Sequence, residues 1–109
     1  ATAQAVNAFL IVVEPGRRSL STAQSIRQLA ADIGVKNCYV VGNKVRDEAD
    51  RDFIHRNLPP DLPVIGFLSL NPRAVEADMR GEAIFDAAPE LVTEARQIVA
   101  RFDQSMAAG

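Results

Sequence analysis

Three short apolar runs, Ala8–Val13, Cys38–Val41 and Val64–Leu68, constrain the fold more than any other feature of this chain. None alternates polar with apolar residues, as a strand with one wet face would. Continuous runs rich in Val, Ile and Phe read as parallel strands covered on both faces. Helical patterns separate them. Leu20, Ala23, Ile26, Ala30 and Ile33 recur at spacings of three and four, which makes one apolar stripe. Ser19 is placed to cap that helix and Gly34 to stop it. From Asp47 to Leu58 the pattern turns Ala49, Phe53, Ile54 and Leu58 inward. Asp47, Glu48 and Asp50 fall in the first turn, where the helix dipole favours acids, and Pro59-Pro60 ends the helix.

After the third run come a short helix near Pro72–Met79, with Asn71 as its N-cap, a turn at Gly81 and a last helix with Pro89 at its first position. Leu91, Val92, Ala95, Ile98, Val99 and Phe102 form the expected buried face of that helix. The order is βαβαβ followed by helices. This predicts an α/β unit of three parallel strands with covering helices and right-handed crossovers.

The chain has 109 residues and is 48% hydrophobic, enough for one compact unit with one core. Twelve basic and 14 acidic side chains leave a formal charge of −2, which steers it to neither nucleic acid nor an anionic membrane. The longest apolar run falls far short of the roughly 20 residues that span a bilayer. The lone Cys38 excludes an internal disulfide and reads as a small buried hydrophobe. These properties point to the cytoplasm. The chain opens on Ala1-Thr2-Ala3 without Met and meets a strand pattern almost at once. That reads as a stretch of a longer chain, or as removal of an initiator Met before Ala.

In an open parallel sheet, ligands bind at the carboxyl ends of the strands. Three segments emerge there: Glu14-Pro15-Gly16-Arg17-Arg18, Asn43-Lys44-Val45-Arg46 and Ser69-Leu70-Asn71-Pro72. Asn43-Lys44, ending the second run, suits a purine pocket, because an Asn amide both donates and accepts. The guanine-reading pattern Asn-Lys-x-Asp needs an acceptor two residues after the Lys. Here that position is Arg46, which accepts nothing, so adenine is the better reading. The alternative is an Asn that only closes a strand-to-helix turn. Lys44 is placed to pack on a base or to bridge loops. Ser69 and Leu70 are placed to wall the pocket, and Arg17 and Arg18 either meet a phosphate or an acidic surface or, as paired surface arginines more often do, stand as solvated charge. His55, without a second ligand, makes a poor metal site. No G-x-x-x-x-G-K-[ST] phosphate loop and no Ser/His/Asp arrangement occurs, so this chain alone is not expected to hydrolyse ATP.

Taken together, four strings resemble the C-terminal half of one family. They are Val12-Val13-Glu14-Pro15-Gly16-Arg17-Arg18-Ser19, Tyr39-Val40-Val41-Gly42-Asn43-Lys44-Val45-Arg46-Asp47-Glu48, Ile65-Gly66-Phe67-Leu68, and Ala77-Asp78 with Gly81. The family is the carbon monoxide dehydrogenase nickel-insertion accessory ATPases (CooC type). It lies among the deviant-Walker P-loop ATPases, with the septum-placement and chromosome-partitioning ATPases and nitrogenase iron protein.

The resemblance implies the C-terminal half of a P-loop NTPase fold, with Asn43 and Lys44 at an adenine of ATP or ADP and Leu68, Ser69 and Leu70 walling the base. The family has a Pro where Ser69 stands and an acid where Asn71 stands. It also implies a homodimer, Mg in the parent protein, and carbon monoxide dehydrogenase as client. Nickel would be held only through residues absent from this chain. Two rival readings are a partitioning or septum-placement ATPase and a stand-alone flavodoxin-like interaction domain without nucleotide. With its neighbouring strand in another segment, the Ala8–Val13 edge is expected to be bare and prone to self-association.

Overall fold

A computed structural model of the chain describes residues 8–108, so the opening Ala1-Thr2-Ala3 lies outside the described residues. The three apolar runs are the strands β1 (Ala8–Val13), β2 (Asn37–Val45) and β3 (Val64–Ser69). They form one parallel sheet in the order β1-β2-β3. Helices α1 (Arg17–Asp32) and α2 (Glu48–Arg56) make the two crossovers; α3 (Pro72–Arg80), α4 (Ile84–Ala87) and α5 (Pro89–Ala108) follow β3. The apolar runs predicted this three-stranded parallel sheet with covering helices, and the architecture matches the P-loop NTPase half that the resemblance implied. Among the described residues no helix is long and apolar enough to cross a membrane.

The sheet steps in one direction through two crossovers, so crossovers of one hand put both helices on one face. There Leu20, Ala23 and Ala30 of α1 and Ile54 of α2 pack on Ile11, Val13, Val40 and Val45. The opposite face carries a smaller cluster in which Ile98 of α5 meets Val41 and Ile65, with Tyr39, Leu68 and Phe102 at its margin. Tyr39 and Phe102 stack edge to face at 5.6 Å, a favoured aromatic geometry.

Cover on both faces holds for β2 and β3 and not for β1. Ile11 and Val13 are buried, yet Leu10 and Val12 are 47% and 57% exposed. Helix α5 packs over β3 and reaches only as far as Tyr39, so the second face of β1 and its outer edge are left without a described partner.

Local signals explain the helix ends. Gly34 has a φ of 85° and follows α1; its N–H donates to Ala31 and the Val35 N–H to Ala30, a Schellman closure. Gly81, at φ 73°, closes α3 in the same way through Asp78 and Ala77. Gly16, not Ser19, is the N-cap of α1. The Ser19 hydroxyl, inside the first turn, instead accepts the Glu14 N–H at 2.8 Å. The expected stripes also miss in places. Ile33, Ala49, Ala95 and Val99 are exposed, whereas Asp50 is buried. Helix α2 begins at Glu48 and turns Asp50, Phe53 and Ile54 toward the sheet, leaving Ala49 outside.

Candidate functional site

Strand β2 runs past Gly42 and includes Asn43 and Lys44, so the pair lies inside the strand rather than beyond its end. Gly42 pairs with Phe67 and Val45 with Ser69, so β2 carries one more residue than β3 over this interval. That is a β-bulge, and Lys44 absorbs it with a left-handed φ of 56°. A bulge turns side chains away from regular alternation, and here it lies at the carboxyl edge where ligands bind. Gly42 beneath it is needed for close packing: a Cβ there would lie 2.6 Å from the Phe67 ring.

A cavity of about 430 Å³ opens at this edge, lined by Asn43, Lys44, Ser69, Leu70, Asn71, Ala74, Val75, Asp78 and Leu91. Its size falls within the roughly 300–1,000 Å³ of small-molecule sites. Asn43 is half-buried, and its side-chain amide makes no hydrogen bond among the described residues. Lys44 reaches across to Glu14, Nζ to Oε1 3.1 Å, and so ties the β1–α1 loop to the bulge. The structure thus brings Asn43, Lys44, Ser69 and Leu70 together. It places Leu68 elsewhere, in the apolar cluster under α5.

The wall of the cavity is held from two sides. The Leu70 N–H donates to the Val45 carbonyl at 2.8 Å. The Ser69 N–H and hydroxyl donate to the two carboxylate oxygens of Glu94, at 3.1 and 2.7 Å. Asn71 caps α3 through Oδ1, which accepts the Arg73 and Ala74 N–H groups, while its Nδ2 donates to Glu90 at 2.7 Å. Arg73 also pairs with Glu90. Hydrogen bonding at its own backbone N–H, then the Asn71 amide, hold the Glu90 carboxyl below the usual range.

Sequence reasoning assigned none of Ala74, Val75, Asp78, Glu90, Leu91 and Glu94 to the pocket or its supports, although it named Leu91 on the buried face of the last helix and Asp78 in the resemblance. One available signal was Pro72 at the first position of α3, which brings the first turns of that helix against the preceding loop. The other was the four-residue spacing of two acids just after Pro89, which puts both on one side of α5.

Beyond the bulge, Arg46 is committed to Asp50. Its Nε and Nη2 meet the carboxylate at 2.9 and 3.1 Å, and its N–H donates to the same group at 2.9 Å. The guanidinium hydrogen bond, then the backbone one, lower the Asp50 pKa. A depressed folded-state pKa adds stability that is complete above the ordinary Asp value of about 3.9 and is lost as pH falls through the folded one. Asp50→Asn should therefore lower the urea midpoint near neutral pH, and the gap to wild type should close on acidification. A gap unchanged by acid would contradict an ionised Asp50.

Arg17 and Arg18 lie in the exposed first turn of α1 and make no described ion pair. A second cavity, also about 430 Å³, follows β1 past Val12, Glu14, Arg18 and Thr22, but none of Asn43, Ser69 or Leu70 reaches it. Burial pushes the Cys38 thiol up. Among the described residues no three His, Cys, Asp or Glu side chains gather as a metal site.

No protein-family model matches the chain. It is 32% identical over 99 residues, 91% of its length, to the carbon monoxide dehydrogenase accessory protein CooC of Rhodospirillum rubrum, covering 37% of that protein. Two proteins of Methanocaldococcus jannaschii described as uncharacterized ATP-binding proteins also match. MJ0823 is 37% identical over 76% of this chain and 33% of its own length. MJ0685 is 33% identical over 73% of this chain and 32% of its own. The chain spans about a third of the length of each relative, and over that third it is homologous to CooC and to the two ATP-binding proteins.

Proposed function

We propose that this chain is the base-binding portion of an ATP-binding protein, with the adenine of ATP or ADP seated in the cavity between the β2 bulge and the β3–α3 loop. The observation that carries the reading is Asn43: a half-buried amide with no hydrogen-bond partner among the described residues, in a cavity of nucleobase scale with Leu70 and Leu91 in its lining. A purine offers a donor and an acceptor side by side, which one amide matches. The Arg46–Asp50 pair leaves no acceptor at the position where a guanine would need one.

The names of the relatives support ATP binding and an accessory role to carbon monoxide dehydrogenase, and the rest of the wider setting is what the sequence resemblance implies. In that setting the chain serves an ATPase accessory to carbon monoxide dehydrogenase, acting as a cytoplasmic homodimer with Mg-ATP and delivering nickel as cargo. The phosphates, Mg and nickel would be handled by segments outside this chain, since the described residues offer neither a phosphate loop nor a metal cluster. The outer edge of β1 has no strand partner among the described residues, and Leu10 and Val12 are exposed on its uncovered face, which suits continuation of the sheet by a further strand.

In the longer protein, Asn43→Ala is expected to weaken ATP binding by about 1–2 kcal/mol, the scale of one buried hydrogen bond. Calorimetric titration with ATP and with inorganic tripolyphosphate measures it. The loss should appear with ATP and be missing with tripolyphosphate, which has no base. Equal ATP affinity in mutant and wild type would reduce Asn43 to a turn residue.

A further inference from the structure

Beyond its own cap at Asn71 and the Leu70 bond to Val45, the β3–α3 loop is also held by α5. Ser69, the last residue of β3, directs both its N–H and its hydroxyl to the carboxylate of Glu94, 25 residues further along the chain. One helical turn earlier, Glu90 takes the Asn71 amide and Arg73. Two acids on one side of α5 therefore grip both ends of the Ser69–Asn71 segment, and Leu70 between them is closed onto Val45 by its N–H. All three residues of this segment line the cavity, and Leu70, 41% exposed, is its apolar member.

We propose that Glu94 is a positioning residue of the cavity: by holding Ser69 at two points from α5, it sets the place of the Leu70 wall against a base read by Asn43. The proposal rests on the adenine reading above. Glu94 touches no base itself and acts through Ser69. A carboxylate accepts both Ser69 donors. A glutamine can accept the N–H through its oxygen and donate to the hydroxyl through its amide nitrogen, because a Ser hydroxyl also accepts. An alanine can do neither. Glu94→Gln should thus keep the wall and Glu94→Ala should release it.

The test is made in the longer protein, titrating ATP and inorganic tripolyphosphate into Glu94→Ala, Glu94→Gln and Asn43→Ala, with the Tm of each variant recorded. Glu94→Ala is expected to weaken ATP about fivefold, on the scale of lost hydrogen bonds, with tripolyphosphate unchanged and Glu94→Gln close to wild type. An equal loss for both ligands would mark a general defect of the fold and overturn the positioning role. So would an unchanged ATP affinity in Glu94→Ala where Asn43→Ala is weakened, and that pattern would leave the base site standing. If neither variant changes ATP affinity, the adenine reading itself falls. Should Glu94→Ala fail to fold, Ser69→Ala removes only the hydroxyl contact. It is expected to weaken ATP about twofold, and an unchanged affinity there overturns the proposal.

Discussion

Ile54→Ala is expected to destabilise the chain by about 2–5 kcal/mol, the usual cost of emptying a buried Ile site. Ile54 has no solvent exposure and is among the largest fully buried side chains. It carries the contact between α2 and the sheet, because the neighbouring inward positions are the half-buried Phe53 and the ion-paired Asp50. Its site has little room to collapse. On one side lie Gly42 and Phe67, and the Phe67 ring is already fixed by His55 at 5.4 Å and by the Arg51 guanidinium at 5.7 Å. Urea unfolding gives the measurement. Since small proteins hold only about 5–15 kcal/mol in total, the midpoint should fall sharply. Ile54→Val should cost about 0.5–1.5 kcal/mol. A loss for the alanine variant no larger than for valine would mean that α2 does not bear on the sheet as described.

Gly66→Ala is expected to cost about 1–3 kcal/mol by overpacking. A Cβ on Gly66 would lie 2.5 Å from Cγ1 of Ile98, with Cβ of Ile98 at 3.7 Å. The clash is with the root of a β-branched side chain on a helix, where χ1 has essentially one well, so α5 itself must move. A double-mutant cycle isolates the effect. In an Ile98→Ala background the added methyl has space, and Gly66→Ala should cost far less there than in wild type. The same cost in both backgrounds would refute close contact between β3 and α5.

Strands β2 and β3 were legible because burial on two faces leaves a continuous apolar signature, which β1 shares although its second face has no described cover, and helix stops were legible where Gly34 and Gly81 mark left-handed turns. Asn43 could be nominated from its residue type and its place near a strand end. Its true setting could not, since the bulge exists only relative to the register of β3. Asp50 misled the helical reading because its burial depends on Arg46, which lies before the helix. Ala95 and Val99 misled it because α5 covers little more than one strand, so of the expected face only Leu91, Val92, Ile98 and Phe102 are covered. The only local trace of Glu94 is its four-residue spacing from Glu90, which says nothing of what it holds. Its role comes from a contact across 25 residues.

The uneven division of the core has a consequence for motion on slow timescales. The face under α1 and α2 holds most of the buried apolar side chains, whereas α5 is fastened by Val41, Ile65 and Ile98 with a half-buried margin. Elements with few buried apolar contacts open at lower free energy than the rest. Amide hydrogens of α5 should therefore exchange with solvent sooner than those of β2. Each time α5 lifts, Ser69 and Asn71 lose the carboxylates that hold them. A molecule seated in the cavity would favour the closed form and so slow exchange along the whole of α5, although that helix contributes only Leu91 to the cavity lining.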